Sequence, residues 1–227
     1  MEIIWFFLSG VCHQIPERSL HFGGQPLPLC ARCTGTFLGA LTGLLVLWAI
    51  GHGRRSRLPG PWTFGLLGLL VGVWGLDGLN SFAQLALGRA PLYEPSNTLR
   101  LATGLGLGIA LAGVLYPTYH YALWRERDER SALGGPWALP ALYAGALVMG
   151  GLLLAWSGAP YALWATLATG ATATVLALVN GAMLALLLHR EGVARRWAEV
   201  LPYWAGGLVL ALGETGTLAI IRRLLGA

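Results

Sequence analysis

The chain contains no lysine, and all 15 of its cationic side chains are arginine. A GC-rich coding sequence explains that bias more simply than a mechanism does. Charge of either sign is scarce as well, at 11% of residues against roughly 25% in an ordinary soluble domain, which excludes a water-soluble globule. Carboxylates number only 10 and are missing from most of the apolar runs, so the several stations that a transmembrane proton relay needs are not there. Cysteine is down to three residues, an odd number that cannot pair off completely. What remains is apolar: 56% of residues are hydrophobic, 33 are glycine, and the mean hydropathy is positive.

Repeated stretches long enough to cross a hydrocarbon core of about 30 Å indicate an all-α, polytopic integral membrane bundle with six spans. They fall near residues 30–50, 60–80, 98–121, 136–157, 161–188 and 202–221. Nothing suggests a second folded unit, so the chain divides into an N-terminal Cys/His-containing segment, 1–29, and a transmembrane domain, 30–227. The opening "MEIIWFFLSGV" carries an acid where a signal peptide would be basic and is too short to span. It reads as an interfacial or re-entrant segment.

The net charge of +5 raises nucleic acid as a partner. The arginines, however, sit at the ends of apolar runs, where they set orientation, and nucleic acid is discounted. Turns after the first, third and fifth spans hold Arg54, Arg55, Arg57, Arg125, Arg127, Arg130, Arg190, Arg195 and Arg196. Those turns are expected in the cytoplasm of a cell whose plasma membrane the chain crosses, which places residues 1–29 and the 81–97 loop outside it. Arg222 and Arg223 count mildly against that orientation. Glycines at four-residue intervals, Gly35/Gly39/Gly43, Gly68/Gly72 and Gly104/Gly108, are expected to let helix backbones approach closely.

All three cysteines lie in "CHQIPERSLHFGGQPLPLCARCTG", residues 12–35. Cys30 and Cys33 form a C-x-x-C at the start of the first span, on one face of its first turn, where free amides and the helix dipole favour thiolate. With Cys12 and His13 they make a set of three cysteines and one histidine, of the kind that holds zinc, or iron, in a tetrahedron. Adjacent residues such as Cys12 and His13 rarely share one ion without strain, which leaves His21 or a water as the fourth ligand. A Cys30–Cys33 disulfide with Cys12 as the odd thiol, or three plain structural thiols, stay open as alternatives.

Ionisable groups within the spans are costly and are functional candidates by default. Asp77 and Asn80 fall at the end of the second span, Asn97 and Arg100 at the start of the third, and Glu214 in the sixth. All are expected at the same membrane depth as the cysteines, with Asp77 and Arg100 as an ion pair. The competing reading is that they only pin helices together. His52, His120 and His189 are read as solvated or interfacial.

The elements "CHQIPERS", "PLCARCTG" and "NTLRLATG" resemble a family of small bacterial and archaeal multi-pass membrane proteins of unknown function. Its motif residues fall on Cys12, His13, Gln14, Pro16, Arg18, Ser19, Cys30, Arg32, Cys33, Gly35, Asn97 and Arg100. The resemblance implies a site without supplying a reaction, and it leaves His21 outside the shared pattern.

The leading expectation is a zinc-binding membrane protein whose Cys12/His13/Cys30/Cys33 centre caps a polar pocket. In it Glu214 or Asp77 would act as general base, and Arg18, Arg32, Arg100, Asn80 and Asn97 would receive an anionic lipid headgroup. That would make it a lipid-directed hydrolase or transferase. A quinone-linked thiol–disulfide oxidoreductase is the second reading. A non-catalytic subunit or transporter with a membrane-protein partner is the third.

Overall fold

The computed structural model describes residues 2–156 and 158–225. A short helix, α1 (Glu2–Ser9), precedes a hairpin of β1 (Ser19–Phe22) and β2 (Gln25–Cys30). Six long helices follow: α2 (Ala31–Ala49), α3 (Pro61–Leu87), α4 (Asn97–Leu123), α5 (Ala138–Ala155), α6 (Tyr161–Leu187) and α7 (Trp197–Leu224). All six are long and apolar enough to cross a membrane, so the protein is a polytopic helical bundle.

Local chemistry sets the ends of these helices. Pro61 opens α3 at its first turn, and Gly88 closes it in the left-handed conformation at φ +70°, the asymmetry that proline and glycine impose on helices. The helix therefore runs through "SFAQLAL", past the expected end at residue 80. Ser96 caps α4, its hydroxyl accepting from the Leu99 amide at 3.2 Å. Glu199 folds back on the start of α7 and accepts from the Arg195 and Arg196 amides, so this helix begins before the expected residue 202.

The centre of the bundle is the α2–α4 pair. A Cβ on Gly104 would lie 2.2 Å from the Arg32 carbonyl, and one on Gly35 would lie 2.5 Å from the Leu101 carbonyl. The expected glycine contact is real here, with Gly108 set equally tightly against α2. It fails on α3: Gly68 and Gly72 have no atom within 4 Å of a notional Cβ. That face of α3 carries Leu66, Leu69, Leu76 and Leu79, all exposed, and looks out to lipid. The same spacing thus marks a helix interface in one case and a lipid-facing surface in the other.

At one end of the bundle the three arginine-rich turns knit into a cap. Strand β3 (Arg55–Arg57) pairs in parallel with β4 (Asp128–Ser131), and Trp124 bridges to Ala194. At the other end the hairpin turns on Gly23 and Gly24, both at positive φ, as a two-residue hairpin loop requires. Leu27 and Leu29 of β2 are fully buried, and Phe22 rests on Trp164 of α6 at 5.9 Å. Helix α1 packs along α7, where Gly10 sits against the Thr215 backbone. Ile3 and Ile4 line a common cavity with Leu176 of α6 and Leu208 of α7, so the segment is docked along the side of the bundle.

Candidate metal and anion site

The hairpin delivers Cys30 to the residue before α2, the first turn of α2 holds Cys33, and the segment leaving α1 brings in Cys12. The three Sγ atoms all lie within 4.8 Å of one another, and all three are free thiols. The Cys30 amide donates to Cys12 Sγ at 3.1 Å, and the Gln14 amide does so at 3.5 Å. Gln14 adopts φ +54° while its side-chain amide donates to the Trp5 and Pro28 carbonyls at 2.9 and 3.0 Å. That strained residue fixes the Cys12 loop against the hairpin.

Hydrogen bonds from Cys12 and then Cys33, with help from the Cys33 and Arg32 amides, hold Cys30 well below the ordinary thiol range. Cys12, which shares its proton with Cys30, is pushed up. Of these two thiols Cys30 is thus the one favoured as thiolate, at the residue where α2 presents its unpaired amides.

The donor set fits a soft divalent ion. Metal–sulfur bonds of about 2.3 Å place tetrahedral sulfurs about 3.8 Å apart, within the reach of this triangle. The imidazole of His13 is not part of the three-thiol group, although His13 lines the same cavity. The expected set of three cysteines and one histidine is therefore observed as the three cysteines alone, because a residue adjacent to Cys12 is carried outward as the chain turns at Gln14. His21 is exposed on β1, its ring against the Ser19 carbonyl at 3.1 Å, away from the thiols.

The thiols line one wall of a cavity of about 270 Å³ that also presents Arg18, Arg32, Arg100 and Trp74. Asp77 pairs with Arg32 and not with Arg100. Arg32 Nη2 and Nε both bond its Oδ2, the latter at 2.9 Å, while Tyr93 and Thr103 hydroxyls donate to it at 2.7 and 3.2 Å. Asp77 is fully enclosed and both of its oxygens are engaged, so it does not face the cavity as a base.

Arg100 is only 6% exposed. It donates from Nη1 to Asn97 Oδ1 at 2.9 Å, and its Nε has no partner. Asn97 in turn donates to the Glu17 and Ser19 carbonyls. Asn80 donates to the Tyr93 carbonyl and accepts from the Leu92 amide. Both asparagines thus tie loops to the site.

Glu214 stands elsewhere. It lies on α7, exposed to the bundle's surroundings, and accepts from Asn180 of α6 at 2.9 Å. Its depth in the membrane said nothing about its position around the bundle, and it is not on the cavity wall. Two residues with no sequence signal emerge. Arg222 reaches back from the end of α7 to the Ser9 and Cys12 carbonyls at 2.9 and 2.7 Å, clamping the segment that carries Cys12. Ser81 accepts from Arg32 at 2.9 Å, and its carbonyl from Arg18 at 3.2 Å.

Fold and site together define a polytopic membrane protein with a three-thiol cluster and an arginine-lined cavity at one end. The chain belongs to the family described as predicted membrane protein (DUF2085), whose model matches residues 12–114. Over 102 residues it is 40% identical to an uncharacterized protein of Methanothermobacter thermautotrophicus, an alignment covering 81% of that protein and 45% of this chain. Another uncharacterized protein, from Methanocaldococcus jannaschii, is 26% identical over 118 residues, 69% of its length and 52% of this chain. Both relatives are archaeal. No solved structure matches. The matched segment carries the hairpin, α2, α3 and most of α4, and so every cysteine and arginine of the cavity.

Proposed function

We propose that the protein is a membrane metalloprotein in which Cys12, Cys30 and Cys33 hold one zinc ion, with a fourth coordination position directed at the cavity. The observation that carries this reading is the mutual approach of three free sulfurs within 4.8 Å, with two backbone amides turned onto Cys12 as outer support. Three protein ligands and an open position are the pattern of a catalytic rather than a closed structural ion. The reaction class that suits it is hydrolysis or transfer on an anionic lipid, with His13 in place of Glu214 as the base within the cavity. Substituting His13 by alanine is expected to abolish turnover of such a lipid while leaving the ion bound. Unchanged turnover would remove His13 from that role.

The test of the centre itself is elemental analysis of detergent-purified protein together with a count of free thiols in anaerobic denaturant. About one equivalent of zinc, lost in Cys33→Ser, with three thiols recovered, is the expected outcome. One equivalent of iron would keep the centre and change the ion. No metal and a single free thiol would replace the reading by the second one, a Cys30–Cys33 redox pair serving a membrane quinone.

The thiol end is assigned to the outside of the cell, on the weight of arginine in the opposite turns. Single cysteines placed at Arg54 and Arg127 in an otherwise cysteine-free chain should then resist impermeant thiol reagents on intact cells. Labelling of both would reverse the orientation.

A further inference from the structure

The cavity beside the thiols has an unbalanced inventory. Among the described residues, two of its buried polar atoms have no hydrogen-bond partner, Nε of Arg100 and Nε1 of Trp74. Both are donors only. A buried donor left unmade is costly, and a buried guanidinium without a counter-ion is more so. Water would satisfy the indole, but neutral water leaves the charge of Arg100 standing.

The charge balance points the same way. Asp77 neutralises Arg32, and no carboxylate pairs with Arg18 or Arg100 among the ion pairs of the described residues. Three thiolates on a divalent ion would carry one negative charge between them, which offsets one of these two arginines and leaves one cation over. A single monovalent anion closes both the charge and the hydrogen-bond deficits.

The cavity's remaining wall indicates how that anion is carried. Phe82 and Leu85 of α3 line it and are 64% and 60% exposed on the lipid-facing side of that helix. The pocket is thus polar at the arginines and continuous with apolar surface at the bilayer, an amphipathic shape. We propose that it binds the phosphodiester of a membrane phospholipid. Arg100 and Trp74 donate to the phosphate oxygens, Arg18 closes the charged side, and the acyl chains lie along Phe82 and Leu85. The site rests on and deepens the anionic-lipid reading by naming the phosphodiester as the group held beside the ion and the side chains that hold it, but its donors are independent of the thiols.

The experiment measures binding of a short-chain phosphatidylglycerol to the full-length protein in neutral detergent, by native mass spectrometry and calorimetry. Inorganic phosphate and short-chain phosphatidylcholine serve as comparison ligands. The wild type should bind phosphatidylglycerol, Arg100→Gln should weaken it at least ~10-fold, as loss of a charge-assisted contact implies, and Trp74→Phe should weaken it several-fold. Arg57→Gln, at the far end, should change nothing. Without lipid, Arg100→Gln should melt at or above the wild-type temperature, because it removes an uncompensated buried cation; a purely structural arginine would behave in the opposite way.

Equal phosphatidylglycerol affinity in the wild type, Arg100→Gln and Trp74→Phe would overturn the proposal. So would inorganic phosphate that binds as tightly as the lipid and competes with it, since the anion would then be a free one. Loss of zinc in Cys33→Ser with lipid binding retained would sustain this site. Absence of any metal from the wild type would defeat the metal reading and leave the lipid result to stand by itself.

Discussion

The two ends of the bundle are both built from arginine and surround it with different partners. In the cap formed by the three turns, the guanidiniums lie against aromatic faces, carbonyls and a carboxylate, although Nε of Arg55 is buried without a hydrogen bond. Arg54 stacks on the Trp124 ring at 3.6 Å and donates to the Arg195 carbonyl. Arg127 stacks on Tyr121 at 4.1 Å and donates to its carbonyl. Asp128 answers Arg130 at 2.7 Å and Arg55 at 3.9 Å. At the thiol end Arg32 is paired with Asp77 and donates to Ser81, whereas Arg100 is enclosed with Nε unmet. An unmet Nε occurs at both ends, on Arg55 and on Arg100; the difference is that Arg55 has the Asp128 carboxylate at 3.9 Å, whereas no carboxylate pairs with Arg100 among the ion pairs of the described residues.

Removing the carboxylate at each end should separate these roles most sharply. Asp77→Leu leaves Arg32 enclosed without a counter-ion, a loss of about 3–5 kcal/mol for a broken buried pair. At about 2–4 °C per kcal/mol for a chain of this size, the apparent melting temperature in detergent should drop by roughly 10 °C. Asp128→Asn, in an exposed pair, should lower it by only about 2 °C or less. Equal losses would mean that the two ends are held by the same kind of interaction.

A finer cut spares the ion pair and removes one of its supports. Tyr93 comes from the loop between α3 and α4, and its hydroxyl donates to Asp77 Oδ1 at 2.7 Å. Tyr93→Phe should cost about 1.5 kcal/mol, the scale of one hydrogen bond to a charged group. The loop should also become more susceptible to limited proteolysis between Gly88 and Ser96. No change in either readout would show that Arg32 and Thr103 alone keep Asp77 in place.

The sequence carried a good deal of this architecture and stopped at identifiable points. Hydropathy located all six spans because length and apolarity suffice for that. It missed the extension of α3 through residue 87, where Gly88 and not a drop in hydropathy ends the helix. The "FGGQ" turn of the hairpin was readable from its paired glycines but was overshadowed by the two prolines of β2, which point away from a central strand. The C-x-x-C face and the return of Cys12 were legible from spacing.

The partner of Asp77 was not. Arg32 and Arg100 both begin helices at the same depth, and only the rotation of α2 against α4, fixed by Gly35 and Gly104, decides which guanidinium meets it. Glu214 was misplaced for the same reason: depth is written in hydropathy, whereas position around the bundle is written in which small residues meet.

The smallest expected effect lies at the cap and concerns protons. Hydrogen bonds from the Arg130 side chain and then its amide lower the Asp128 carboxyl from an ordinary value of 3.8 to about 2. A group depressed in the folded state stabilises it fully above its unfolded value and ceases to do so as pH falls through its folded one. The contribution of Asp128 should therefore be constant above about pH 4 and fade between there and about pH 2. The measurement is the difference in apparent melting temperature between the wild type and Asp128→Asn, followed from about pH 6 down to about pH 2. That difference should be small throughout, because the pair is open to solvent, and should vanish first at the acid end. In about 1 M salt, where the Debye length is about 3 Å, it should shrink further. A difference that instead grew on acidification would mean that Asp128 supports the cap through its neutral form, and the cap's arginines would then be held by carbonyls and aromatic faces alone.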